Sequence, residues 1–73
     1  MIKLGTYQHY KTGNRYKVHF VAKNTETLEE FVVYEALYDN SNGKYWVRPS
    51  KMFSEMVGKD GKKVPRFQYI EKL

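Results

Sequence analysis

The sequence predicts a mainly β fold, a small and strongly bent five-stranded sheet of SH3-like type, partly closed as a barrel and carrying one short helix. Three observations predict this fold. Short segments rich in aromatic and β-branched residues are separated by polar turn residues. The segment 15–22 alternates apolar and polar side chains. Seven Tyr, four Phe and one Trp stand in a chain without cysteine, so large rings must supply the core.

The first two predicted strands form a hairpin. Thr6–Tyr10 is one strand, residues 11–14 form a turn that contains Gly13 and Asn14, and Arg15–Ala22 is the second strand. Alternation in the second strand predicts two opposite faces, with Tyr16, Val18, Phe20 and Ala22 on one and Arg15, Lys17 and His19 on the other.

The segment Phe31–Tyr38 is the most β-prone part of the chain. Its Val32, Val33 and Tyr34 are apolar on both faces, which is typical of a central strand or of a strand covered on its second face by the helix or another subunit. The polar loop 39–44 then leads into a returning strand, Tyr45–Arg48.

Pro49 is predicted to end the fourth strand and to precede the helix. Ser50 is expected to cap a helix that extends through Met56, with Met52, Phe53 and Met56 on its apolar side. Residues 59–62 form a tight turn, and the segment 66–70 is the last predicted strand.

Size and charge limit the possible functions. The 73 residues form a single domain, 1–73, near the lower size limit for independent folding, so a homo-oligomer is plausible. The net charge of +5 favours anionic partners, although lysines that only maintain solubility would explain it equally well. The absence of cysteine, of a signal peptide and of an apolar span predicts a cytoplasmic protein that contacts no membrane. No metal site or cofactor is expected.

Several short phrases occur together in a recognisable order. They are Gly5-Thr6-Tyr7-Gln8-His9-Tyr10-Lys11, Thr25-Glu26-Thr27, Val33-Tyr34, Leu37-Tyr38, Trp46-Val47-Arg48-Pro49, Met52-Phe53, and Gly61 followed by Val64-Pro65-Arg66-Phe67. In these phrases the chain resembles the domain of unknown function 1653 family, small proteins of bacteria and their phages. The resemblance implies no activity. One departure is Lys23-Asn24, where a histidine is expected before the Thr-Glu-Thr phrase.

The leading hypothesis is a small, non-catalytic binding module for an anionic nucleotide-like ligand. Arginine offers a planar fork to phosphate, and aromatic faces stack bases. The candidate ligand-binding residues are His9, Lys11, Tyr34, Trp46, Arg48 and Arg66. The structural alternatives are an ion pair of Arg48 with Glu35 or Glu55, and a Trp46 that serves only as a core anchor.

Two further hypotheses use overlapping residues. A small β-barrel that binds nucleic acid would use the same arginines and the lysines 59, 62 and 63 as a backbone track, although a lysine-bearing turn is usually only solvated. A hydrolase acting on a nucleotide or phosphate ester would need His9 and Glu26 as an acid–base pair. No phosphate loop, nucleophile elbow or paired metal motif is present, so an enzyme is the minority hypothesis.

Overall fold

Seven strands and one four-residue helix are found in the computed structural model, which describes residues 2–72. The elements in chain order are β1 Gly5–His9, β2 Arg15–Lys23, β3 Glu30–Ala36, β4 Tyr45–Pro49, α1 Ser50–Phe53, β5 Met56–Lys59, β6 Lys62–Pro65 and β7 Phe67–Glu71. The mainly β prediction is confirmed. The five predicted strands correspond to β1–β4 and β7, whereas β5 and β6 were not predicted.

The five predicted strands form one antiparallel sheet with the order β4-β3-β2-β1-β7. Strands β5 and β6 pair only with each other, as a separate hairpin. In the described chain β4 and β7 are the two edges of the sheet, and they are not hydrogen-bonded to each other. The sheet is therefore open, and the predicted partly closed barrel is not confirmed.

The sheet is nevertheless strongly bent. In a flat sheet β4 and β7 would lie about 19 Å apart, since neighbouring strands are spaced by about 4.8 Å. The guanidinium carbon of Arg48, on β4, lies 5.7 Å from the ring centre of Phe67, on β7. Helix α1 packs on the inner side of this bend, where Phe53 stacks on Phe67 with ring centres 4.3 Å apart and planes 2° apart.

Large rings fill the inner face of the sheet, as the sequence predicts. The buried cluster consists of Tyr7, Val18, Val32, Tyr34, Phe53 and Phe67. Tyr7 meets Phe53 edge-on at 5.1 Å, and Tyr34 packs against both Phe53 and Phe67 at 5.5 and 5.8 Å. Four aromatic side chains, from three strands and the helix, therefore form most of the core cluster, and two valines complete it.

The prediction that Tyr16, Val18, Phe20 and Ala22 share one face of β2 is wrong beyond Val18. The register with β3 shifts between Val18 and Phe20, where a β-bulge places an extra residue on β2. Because a bulge inverts the alternation that follows it, Val18 is buried while Phe20 is 64% exposed. His19 is the additional residue, and Val21 takes over the inner face opposite Val32.

Strand β3 is central in the β4-β3-β2 part of the sheet, as its apolar run predicts. Val32 and Tyr34 face the core, where the helix residue Phe53 covers them. Phe31 and Val33 face the opposite, outer side and are half-buried. Helix α1 therefore covers the inner face of β3 and not the outer face.

Helix α1 is shorter than predicted and is not capped by Ser50. Pro49 occupies the N-cap position, no side chain caps the helix, and the Ser50 hydroxyl is buried without a hydrogen-bond partner in the described chain. The helix ends at Phe53, and the backbone N–H and hydroxyl of the C-cap residue Ser54 both donate to the Ser50 carbonyl. Met56 belongs to β5 and is exposed. None of the helical residues in the described chain forms a segment long and apolar enough to cross a bilayer.

The predicted tight turn after Lys59 is present, as the connection of the β5–β6 hairpin. Asp60 and Gly61 have φ angles of 51° and 77°, the positive pair that a two-residue type I′ turn requires. The flanking strands were not predicted because the Met56–Lys59 and Lys62–Pro65 segments contain Gly58, Pro65 and three lysines, all of which disfavour strands.

Substitution of Phe53 tests the aromatic stack. Phe53→Ala should lower the free energy of unfolding by about 3–5 kcal/mol, because it empties a site that is 1% exposed. Urea unfolding followed by Trp46 fluorescence measures the loss. A chain of this length has only about 4–11 kcal/mol of stability, so Phe53→Leu provides a milder variant if the alanine variant does not fold. The exposed Phe20→Ala is the control and should cost less than about 0.5 kcal/mol; equal losses at both positions would contradict this account of the core.

Candidate functional site

An open depression on the inner face of the sheet is lined by three of the predicted ligand-binding residues. Its volume is about 240 Å³. It is lined by Tyr16, Tyr34, Tyr38, Asn40, Trp46 and Arg48, and we call it the Arg48 pocket. The structure thus brings Tyr34, Trp46 and Arg48 together, as the leading hypothesis requires.

The pairing of β3 with β4 places these side chains. Tyr34 lies opposite Trp46, and Val32 lies opposite Arg48, so Trp46 and Arg48 share the inner face with the core residues of β3. The indole N–H of Trp46 donates to the Gly43 carbonyl at 3.1 Å, which fixes the ring at the end of the β3–β4 loop. Trp46 is half-buried against the core cluster, so it is both a packing residue and a wall of the pocket.

Arg48 has no carboxylate partner within residues 2–72. Glu35 instead accepts from His19 at 2.7 Å and pairs with Lys44 at 3.3 Å. Glu55 pairs with Arg66 at 2.6 Å. The alternative in which Arg48 is held by Glu35 or Glu55 is therefore wrong, and its guanidinium lies over Phe67 at the pocket wall.

Hydroxyl and amide groups line the other side of the Arg48 pocket. The hydroxyls of Tyr16 and Tyr38 share a hydrogen bond of 2.7 Å, and the Asn40 amide donates to the Tyr38 hydroxyl at 3.3 Å. Burial raises the pKa of Tyr16, and the hydrogen bond with Tyr38 raises it further. Tyr16 is therefore neutral at physiological pH, and the pocket combines one cation with uncharged hydrogen-bonding groups.

His9 lies near the same cations, at the end of β1. Its ring meets Phe67 edge-on at 5.0 Å, and its Nδ1 accepts from the backbone N–H of Lys11 at 3.2 Å. Burial lowers the pKa of His9, and the positive charges of Arg66, Arg48 and Lys11 lower it further. The bent sheet thus brings the predicted cluster of His9, Lys11, Arg48 and Arg66 within electrostatic range.

Arg66 differs from Arg48 because it is already paired. Its Nη2 donates to Glu55 at 2.6 Å, and its Nε is buried without a partner in the described chain. A ligand would have to compete with Glu55 for this side chain, so Arg66 contributes mainly long-range positive charge to the site.

Glu26 is not brought near His9. His9 lies beside Asn14 at the start of β2, whereas Glu26 follows the far end of that strand, so the nine residues of β2, about 27 Å of extended backbone, lie between them. Glu26 is exposed in a turn whose amides at positions 26 and 27 donate to the Asn24 side chain at 2.7 and 3.2 Å. Asn24, part of the Lys23-Asn24 departure from the family pattern, therefore has a structural role as a turn cap.

Three pocket residues were missed by the sequence analysis. Tyr16 was assigned only to an apolar strand face, and Tyr38 and Asn40 were assigned to a strand end and a loop. Their convergence depends on the β2–β3 register and the loop path, which no local pattern shows. In the part of the chain that the structure describes, no three His, Cys, Asp or Glu side chains cluster as a metal site would require.

Comparison with known proteins identifies the family. The family described as "Protein of unknown function (DUF1653)" matches residues 5–69. The chain belongs to the DUF1653 family. The resemblance seen in the sequence is therefore confirmed, and the matched span contains all six predicted ligand-binding residues.

A solved structure supports the same assignment. The crystal structure of a DUF1653 protein from Bordetella bronchiseptica is 32% identical to this chain and has a TM-score of 0.89. The alignment covers 99% of this chain and 91% of the Bordetella protein. No curated protein matches the chain. Membership of the DUF1653 family therefore accounts for the fold but assigns no function.

The lowered pKa of His9 predicts a pH-dependent stability. The folded pKa lies below the unfolded value of about 6.5, so the unfolded chain binds more protons as the pH falls through 6.5. The contribution of neutral His9 to the free energy of unfolding is therefore fully present above about pH 6.5, and it is lost as the pH falls toward the folded pKa. The thermal midpoint should therefore decrease below about pH 6.5, and His9→Gln should reduce this decrease. An equal pH dependence in both proteins would contradict the assignment to His9.

Proposed function

We propose that this DUF1653 protein is a small, non-catalytic binding module for an anionic, nucleotide-like ligand. One observation carries the proposal: Arg48 has no carboxylate partner within residues 2–72 and lies beside Trp46 in an open pocket. A guanidinium without a protein anion, next to an aromatic wall, is suited to a phosphate joined to a planar ring.

Each pocket residue has a defined role in this proposal. Arg48 binds the phosphate through its planar fork, and the Tyr38 and Asn40 groups supply further hydrogen bonds. Trp46 offers its partly exposed ring for stacking. Tyr34 is only 5% exposed, so it forms the floor of the pocket and not a stacking surface. The remaining candidates, His9, Lys11 and Arg66, act through their charge or by an added hydrogen bond.

A second depression adjoins the Arg48 pocket and enlarges the space for a ligand. Its volume is about 430 Å³, and it is lined by Ala36, Leu37, Tyr38, Asp39, Asn40 and Lys44. Tyr38 and Asn40 line both depressions. A ligand with its phosphate at Arg48 therefore has room for a second polar group beside Lys44.

Two further expectations, on the fold type and the cellular location, accompany the proposal. The close approach of β4 and β7 supports an SH3-like arrangement of the strands, although the sheet remains open between them. The cytoplasmic location stays a prediction from the sequence alone.

Removal of Arg48 tests the proposed function. Arg48→Ala should weaken binding of adenosine monophosphate or pyrophosphate roughly 10- to 150-fold, because charge-assisted hydrogen bonds contribute about 1.5–3 kcal/mol. Trp46 is the only tryptophan and lines the pocket, so quenching of its fluorescence reports binding directly.

The matched control is Arg15→Ala. Arg15 is exposed on β2 and outside the pocket lining, so its removal deletes the same charge and should leave binding unchanged. Equal weakening by both substitutions would show that binding follows net charge alone. Absence of binding by the wild-type protein, with Arg48→Ala lowering only the thermal midpoint, would contradict the proposal.

A second candidate function, nucleic-acid binding, is favoured by the β5–β6 hairpin. This hairpin carries Lys59, Lys62 and Lys63, and the ammonium group of Lys59 donates to the Tyr10 carbonyl at 3.3 Å. The contact holds the hairpin beside the β1–β2 turn, where Lys11 and His9 lie. These lysines therefore extend the basic surface beyond the Arg48 pocket, as a track along a phosphate backbone requires.

A salt series separates this candidate from the first. The logarithm of the binding constant for a mixed-sequence single-stranded oligonucleotide should fall linearly with the logarithm of the salt concentration. The double variant Lys62→Ala and Lys63→Ala should reduce the magnitude of this slope by about 0.7 per lysine. Fluorescence anisotropy measures the slope. The exposed pair Lys23→Ala and Lys72→Ala, outside the hairpin, is the control. A slope that both pairs reduce equally would reject the hairpin as the binding track.

The hydrolase hypothesis has the least support. It requires His9 and Glu26 within hydrogen-bonding distance, and β2 separates them.

A further inference from the structure

The edge strand β4 is unpaired along the backbone edge that faces away from β3. Its only neighbour in the sheet is β3, and no turn, loop or cap hydrogen bond of the described backbone involves Tyr45–Pro49. On its outer face Tyr45 and Val47 are 62% and 64% exposed. A strand of this kind can accept another strand through its unpaired N–H and C=O groups.

The sequence of β4 is complementary to itself in an antiparallel arrangement. With Val47 opposite Val47 of a second copy, Tyr45 lies opposite Pro49 on the outer face. On the inner face Trp46 lies opposite Arg48 of the second copy, and Arg48 lies opposite its Trp46. Each pair combines a large ring with a group that packs on ring faces, and the Trp46–Arg48 pair brings a cation to an indole.

We infer that a second copy of this chain pairs antiparallel along β4, centred on Val47, and contributes its Arg48 to the Arg48 pocket. A two-fold axis at Val47 joins the two sheets and keeps both inner faces on the same side, because side chains of directly paired residues lie on the same face of a sheet. Trp46 of one pocket then stands between its own Arg48 and the Arg48 of the second copy.

This arrangement couples dimerisation to the ligand, and this step rests on the proposed function. The two Arg48 residues become diagonal neighbours, about 7–8 Å apart, on one face. No carboxylate lies in Tyr45–Pro49 to offset their repulsion. An anion with two adjacent phosphate groups would neutralise both guanidinium groups, so pyrophosphate or a nucleoside diphosphate is the ligand class expected to stabilise the dimer.

Charge-swapped variants at the centre of the strand test the register. Val47→Lys and Val47→Glu each place like charges opposite one another across the two-fold axis, so each protein alone should remain a monomer. Their equimolar mixture should form a dimer, because lysine then faces glutamate. Val47→Thr keeps the β-branched shape without charge and should behave as the wild type. Sedimentation velocity of each sample, with and without pyrophosphate, distinguishes the 8.7 kDa monomer from the dimer.

The outcomes separate the two proposals. The inference holds if pyrophosphate shifts the wild type toward dimer and the mixture regains the association that each charged variant lost. It is overturned if the wild type stays monomeric while pyrophosphate binds, a result that leaves the proposed function intact. It is also overturned if each charged variant alone dimerises as well as the wild type. Dimerisation in this register without any anion binding would instead overturn the proposed function and the link between ligand and dimer.

Discussion

The packing around Phe67 is the interaction on which the rest of the structure depends. Its ring receives the stacked ring of Phe53 at 4.3 Å, the edges of His9 and Tyr16 at 5.0 and 5.5 Å, and the guanidinium of Arg48 at 5.7 Å. These neighbours come from β1, β2, β4 and the helix, whereas Phe67 begins β7. One ring therefore holds the two sheet edges close without a hydrogen bond between them. The bend, the core and the basic cluster all depend on this packing.

Phe67 also explains why a basic cluster is tolerated in so small a chain. Arg48, Arg66 and His9 would repel one another if all were protonated, and the lowered pKa of His9 removes one charge. Glu55 offsets Arg66. Among residues 2–72 Arg48 has no carboxylate partner, and its charge is attracted by the face of the Phe67 ring.

The five main strands were predictable from the sequence because each is a local pattern, and the family could be identified from phrases spread along most of the chain. Two kinds of feature were not predictable. The bulge at His19 depends on the partner strand, so the alternation that predicted Phe20 in the core gave the wrong face. The pocket depends on Tyr16, Tyr38 and Asn40 meeting through a tertiary register and a loop path. Trp46 and Arg48 share one face of β4 because they alternate with Val47 on one short strand, and such a pattern is local to the sequence.

The pairing of β1 with β7 has a consequence for the order in which the protein forms. The pairing of β4 with β3 joins segments that are neighbours in the chain, whereas β7 must return to a strand more than fifty residues earlier. A sheet of β1–β4 alone lacks the Phe67 ring, so its core is incomplete and Arg48 has no aromatic face to lie over. The basic cluster is assembled only when the last strand docks. Until then β1 and β4 are both unpaired edges, at which a folding chain can pair with another copy before β7 covers β1.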